Sequence, residues 1–160
     1  MKLSIIIVNY NVTRLLRNCL NSILQYISDV DYEVIVMDNQ SPDSSWKVLI
    51  DEFPWVKFIE NTANEGFAKA NNKAVKLASG EYILLLNPDT AFEEDSMKEI
   101  LDFTDLQSNF GCLGVRLHDL EGRFLPESKR SVPSVYNSFE KLFTPFSLKN
   151  KSKKGYYRND

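Results

Sequence analysis

The sequence has little of what marks a specialised protein. It has one histidine and two cysteines in 160 residues. Cys19 and Cys112 are far apart and match no metal-ligand spacing. Cys19 falls on the apolar side of a predicted helix, so a buried thiol is expected there, which suits a reducing cytosol. The net charge is only −3, so nothing advertises nucleic acid as a partner. No hydrophobic run is long enough to cross a bilayer. The opening Met1–Val8 is apolar but stops at Asn9-Tyr10-Asn11, too short for a secretory or spanning segment. There is no internal repeat and no low-complexity tract. The rest is ordinary: 43% hydrophobic and 26% charged residues, in a length that makes one domain with a real core.

Short isoleucine- and valine-rich runs read as buried parallel strands. They are Leu3–Val8, Tyr32–Met37, Val56–Ile59 and Tyr82–Leu86. Helices fall between them. Leu15, Leu16, Cys19, Leu20, Ile23, Leu24 and Ile27 recur at three- and four-residue steps, with Asn11 or Thr13 as the cap. Ser41 or Asp43 can cap a helix through Phe53, and Phe67–Ala78 is a helix closed by Gly80. Asp95 or Ser96 opens another through about Leu106. The alternation predicts an α/β fold, a doubly wound and mostly parallel sheet. Later, Cys112–Leu117 reads as a strand, His118–Gly122 as a turn and Arg123–Leu125 as its return. His118 is an ordinary turn residue. The basic run Lys149–Arg158 reads as a flexible terminus or, alternatively, as a contact with anionic lipid.

Ligands of such sheets bind beyond the carboxyl ends of the strands. Tyr10, Asp38, Asn64 and Asp89 all lie just past a strand. Asp89 can ligate Mg²⁺ or Mn²⁺, hard cations that take one or two protein oxygens and complete their shell with phosphate and water. Asn87 can hydrogen-bond a ribose hydroxyl. Asp38 can accept from a nucleobase imide, and the Tyr10 ring can stack on a pyrimidine. Asn64 and Gly66 precede a helix whose free amides suit phosphate, with Lys69 on its first turn. Each also has a plain structural reading: a rim aromatic, caps and a solvated lysine.

Four stretches together resemble family 2 glycosyltransferases of the GT-A fold, especially the rhamnosyltransferase-like branch. They are Ser4–Asn11, Val34–Asp43, Asn64–Phe67 with Asn71, and Leu84–Asp89, with a weaker likeness to about residue 135. The resemblance implies a site for a UDP- or dTDP-linked sugar. Val8, Tyr10, Asp38, Asn64, Gly66, Lys69 and Asn87 would serve the nucleotide, and Asp89 the metal. It also implies inverting transfer to a hydroxyl of a glycan or lipid-linked acceptor in polysaccharide synthesis, on the cytoplasmic side and possible at the membrane periphery. Residues 1–135 would form the nucleotide-sugar core, and 136–160 the start of an acceptor-side region or a cut tail.

Two departures stand out. The family's metal motif often carries a carboxylate at both ends, and here the first is Asn87. The family's general base, in a Glu-Asp pair well after the hairpin region, has no counterpart. Glu94-Asp95 comes too soon after Asp89 and better explains a helix start. The base is therefore expected beyond Asp160, in a longer enzyme. The alternative is a nucleotide-binding module without transfer activity. A nucleotidyltransferase would need a Gly-rich basic loop after the first strand, and Val8–Thr13 has no glycine or lysine.

Overall fold

A computed structural model describes residues 1–119 and 121–125. Its strands are Leu3–Asn9 (β1), Tyr32–Asp38 (β2), Val56–Glu60 (β3) and Tyr82–Leu86 (β4). Its helices are Thr13–Tyr26 (α1), Val48–Glu52 (α2, entered through a tight turn at Ser45–Lys47), Phe67–Val75 (α3) and Met97–Asp105 (α4). The strands form one sheet in the order β3-β2-β1-β4, with every pairing parallel. This is the doubly wound arrangement expected. No helix among the described residues is long and apolar enough to cross a membrane.

Alternation along the strands divides the core. Ile5 and Ile7 of β1 and Val34 and Val36 of β2 face Leu16, Cys19, Leu20 and Ile23 of α1, with Leu49, Met97 and Leu101 completing that layer. Ile6, Val8, Ile35 and Met37 face the other way, against Ala70 and Ala74 of α3. The central strands are buried on both faces, which is why Ile5–Val8 and Val34–Met37 are unbroken apolar runs. Strand β4 lies at the sheet's edge, and its Leu85 remains 53% exposed.

Several local expectations about caps fail. Neither Asn11 nor Thr13 caps α1; the Asn11 backbone N–H donates to Ser41 Oγ, and the Thr13 hydroxyl hydrogen-bonds Ser45. Asp43 accepts from the Ser45 amide, whereas Ser41 serves Asp38. Asp95 accepts from Ser28, and Ser96 makes no side-chain cap. Helix α3 ends at Val75, and Gly80 closes nothing. It lies where the backbone passes β1 so closely that a Cβ would sit 2.4 Å from the Ser4 nitrogen.

The chain divides after Ser108, and a second unit begins at Asn109. Within that unit a hairpin turn forms as expected. Asp119 N–H donates to the Arg123 carbonyl, Leu125 N–H to the Leu117 carbonyl, and His118 bridges Phe124. Cys112–Leu117 is not a strand, because pairing starts only at the hairpin itself. Residues 136–160, with the basic run Lys149–Arg158, lie outside the described residues.

Candidate functional site

A parallel sheet sends all its strand ends to one edge, and the chain crosses from β3 to β4 over the two central strands. The order therefore reverses at β1, with the switch point between β1 and β4. Tyr10 follows β1, and Asn87-Pro88-Asp89 follows β4. The register Ile7↔Leu86 brings Asn87 level with Val8. Tyr10 is 48% exposed, and Asn87, Asp89, Asn64, Gly66 and Lys69 all reach the surface. Val8 is buried and packs towards α3, so only its backbone is suited to a ligand.

Asp38 is placed differently from these surface residues. Its side chain is 0% exposed, and three donors of the chain itself satisfy it. Asn9 Nδ2 and Ser41 Oγ donate to Oδ1 at 2.7 and 2.6 Å, and the Ser41 amide donates to Oδ2 at 2.9 Å. Ser41 Oγ also accepts from the Asn11 amide at 2.8 Å. Asp38 thus ties the turn after β1 to the loop after β2. Asn11 is left-handed there, with φ of 58°.

A second polar group joins β2, β3 and the entry to α3. Asn39, 3% exposed, accepts at Oδ1 from Asn61 Nδ2 at 3.0 Å and from the Glu65 amide at 3.2 Å. Its Nδ2 donates to Asn64 Oδ1 at 2.7 Å, which also accepts from the Gly66 amide at 3.0 Å. Gly66 has φ of 78° with open space where a Cβ would point, so the backbone angle, not crowding, calls for glycine. Helix α3 has no side-chain cap, and its first turn keeps free amides of the kind that bind oxyanions.

Sequence reasoning missed Asn9, Asn39, Ser41 and Asn61. Each is a buried polar residue at a strand's end or, for Ser41, three residues past one. Their signal was position: Asn9 ends an unbroken apolar run, and Asn39 directly follows Asp38.

The loop after β4 is a turn in which Thr90 donates twice to the Asn87 carbonyl. Cys19 Sγ donates to the same carbonyl at 3.9 Å. Burial pushes the Cys19 thiol up to about 12, and the charge of Asp89 adds to this. The Asp89 carboxylate accepts no hydrogen bond from the described residues, so its oxygens remain available. Among the described residues no cluster of three or more His, Cys, Asp or Glu could hold a metal unaided. One free hard-oxygen donor fits a Mg²⁺ or Mn²⁺ ion whose other ligands are phosphate and water. It does not fit a metal caged by protein.

The chain's likeness to known proteins agrees with this geometry. The family described as Glycosyl transferase family 2 matches residues 4–156. A poly(ribitol-phosphate) beta-glucosyltransferase of Bacillus spizizenii is 35% identical over 142 residues, 84% of this chain but 22% of that protein. The crystal structure of S. aureus TarS 1-349 in complex with UDP-GlcNAc is 28% identical, with a TM-score of 0.59 over 66% of this chain and 31% of that one. A mannosyltransferase of Pyrobaculum calidifontis, in complex with GDP-Man and Mn²⁺, shares the fold with a TM-score of 0.54 at 24% identity, over 59% of this chain and 29% of that one. The chain thus spans under a third of each of these relatives. The parallel sheet is that of the GT-A glycosyltransferases, and the chain belongs to glycosyl transferase family 2.

Proposed function

We propose that this chain holds the nucleotide-sugar donor of an inverting glycosyltransferase that builds a cell-surface polysaccharide. The observation that carries the reading is the strand-end edge, where an exposed tyrosine, uncapped helix amides and a carboxylate unpartnered among the described residues follow strands of one sheet. The TarS complex contains UDP-GlcNAc, which favours a uridine-linked donor over a thymidine-linked one. Tyr10 stacks on the base, Asn87 and the Val8 backbone meet the ribose, and Asn64, Gly66 and Lys69 also serve the nucleotide. Asp38 supports the base site from beneath by fixing Ser41 and, through it, the Asn11 amide.

Asp89 would hold Mg²⁺ or Mn²⁺, and the ion, when bound, neutralises charge gathering on the departing diphosphate. The acceptor is a hydroxyl of a glycan or lipid-linked polymer, reached on the cytoplasmic side or at the inner face of the membrane. The general base that takes its proton is assigned to none of the described residues. The named relatives include a glucosyltransferase and a complex with UDP-GlcNAc, so the rhamnosyltransferase-like likeness rests on the Asn87-Pro88-Asp89 motif alone.

The test is calorimetry of this chain with UDP, dTDP and GDP, with and without Mn²⁺, followed by donor-hydrolysis and transfer assays. Metal-dependent binding of UDP supports the donor site, and no binding of any nucleotide refutes it. Binding without transfer marks the isolated chain as a nucleotide-holding module.

A further inference from the structure

Helix α3 meets the sheet with a stripe that recurs at three- and four-residue steps: Phe67, Ala70, Asn71 and Ala74. The last three are buried, the alanines against Ile6 and Val8 of β1 and Ile35 and Met37 of β2. Phe67, the largest member of the stripe, is 59% exposed. It opens the helix at the carboxyl edge of the sheet and belongs to neither core cluster of the described residues. Strand β1 repeats the pattern from the other side. Ile6 and Val8 face α3, and alternation puts Tyr10 next on that face, one residue past the strand. The pairing of β1 with β2 persists to that point, because the Asn39 N–H donates to the Asn9 carbonyl at 2.8 Å. An exposed aromatic ring thus ends the helix stripe and another ends the strand row that faces it. Neither ring stacks on a further ring among the described residues. The backbone that carries Phe67 is held: Gly66 turns the chain with φ of 78°, and Asn71 Nδ2 donates to the Phe67 carbonyl at 2.9 Å.

We infer that Phe67 is the second wall of the nucleobase site, its ring taking the face of the base opposite Tyr10. This rests on the donor-site reading above. In the order β3-β2-β1-β4, α3 lies over β2 and β1, whereas Asp89 follows β4. A nucleoside diphosphate that brings its phosphates to Asp89 therefore has its base end at Tyr10 and Phe67. A flat base between two rings removes apolar surface from water on both of its faces. Stacking tolerates any base, so Phe67 supplies affinity and leaves the choice of base to hydrogen-bonding groups.

The test reads affinity and ring contact separately, on the 160-residue chain with UDP and Mg²⁺. Phe67→Ala removes the ring, Phe67→Leu keeps apolar bulk without it, and Phe67→Tyr keeps it; melting temperature is recorded for each. Losing one stacked ring should weaken UDP about tenfold in Phe67→Ala, with Phe67→Tyr within about threefold of wild type. Proton NMR of the bound uracil supplies the second readout. Between two rings its H5 and H6 resonances move upfield, and both Phe67→Ala and Phe67→Leu should lose part of that displacement. An unchanged UDP affinity in folded Phe67→Ala, or a weakened one with the uracil resonances where wild type has them, would overturn the inference and leave the donor site standing. If Phe67→Ala fails to fold, the uracil resonances in Phe67→Leu decide in the same way. A wild-type chain that binds no UDP with Mg²⁺ removes the donor-site reading, and the inference falls with it.

Discussion

Asn9 donates from Nδ2 to a carboxylate that has no exposed surface, and Ser41 supplies that carboxylate's other two bonds. A buried anion tolerates such burial only while its donors are present. Asn9→Ala removes one donor to a charged acceptor, worth about 1.5–3 kcal/mol. Urea unfolding should therefore give a stability lower by about 2 kcal/mol, and Asn9→Asp, which faces one carboxylate with another, should cost more. A second prediction at this scale concerns the thiols. Cys19 is buried and its thiol is pushed up to about 12, chiefly by that burial, whereas Cys112 is exposed. At pH 8 a thiol-specific disulfide reagent should titrate one thiol in the native protein and two after denaturation. Two reactive thiols in the native state would contradict the burial of Cys19 between α1 and the sheet.

Among the elements, the strands were the legible part, for a physical reason. Burial on both faces makes Ile5–Val8 of β1 and Val34–Met37 of β2 apolar at every position, and a solvated helix cannot imitate that. Helix ends were less legible. Thr13, Ser41 and Asp95 have the chemistry of caps, and their side chains instead bond groups distant in sequence. Gly80 shows the same limit: a glycine after a helix suggests a cap, and only the packing of β1 reveals a close approach.

That approach can be tested. Gly80→Ala sets a Cβ against the Ser4 backbone and should cost about 1–3 kcal/mol, as overpacking does. Ser4 and Ser79 also surround Glu33 there. Burial pushes the Glu33 carboxyl up, but hydrogen bonds from Ser4 and Ser79 outweigh it and hold it below its ordinary 4.5. A depressed carboxylate contributes stability above its unfolded pKa and loses it as pH falls through the folded value. The stability advantage of wild type over Glu33→Gln should thus be full at pH 6 and shrink below about pH 4. A gap that stays constant to pH 3 would rule out this linkage.

For the molecule as a whole, the parallel sheet explains why residues far apart in sequence share one edge, and this much of the site was readable from strand ends alone. What could not be read is how unequally the loops are joined. The loops after β1, β2 and β3 are fastened to one another through Asp38, Ser41, Asn39 and Asn61. The Asn87–Thr90 turn is fastened instead to α1, through Cys19, and its neighbour Phe92 donates to Ser22 on the same helix. No hydrogen bond among the described residues joins that turn to the other three loops. The side proposed for the nucleotide is therefore pre-organised, and the Asp89 carboxylate stands apart from it. A ligand that touches both, a diphosphate with its cation, couples them thermodynamically. Mn²⁺ alone should barely raise the melting temperature, because a single exposed carboxylate binds it weakly. UDP alone should raise it modestly, and the two together by more than the sum. Asp89→Asn should abolish the excess and leave metal-free UDP affinity within about twofold of wild type. An excess that survives the substitution would place the cation on other ligands and remove Asp89 from the site.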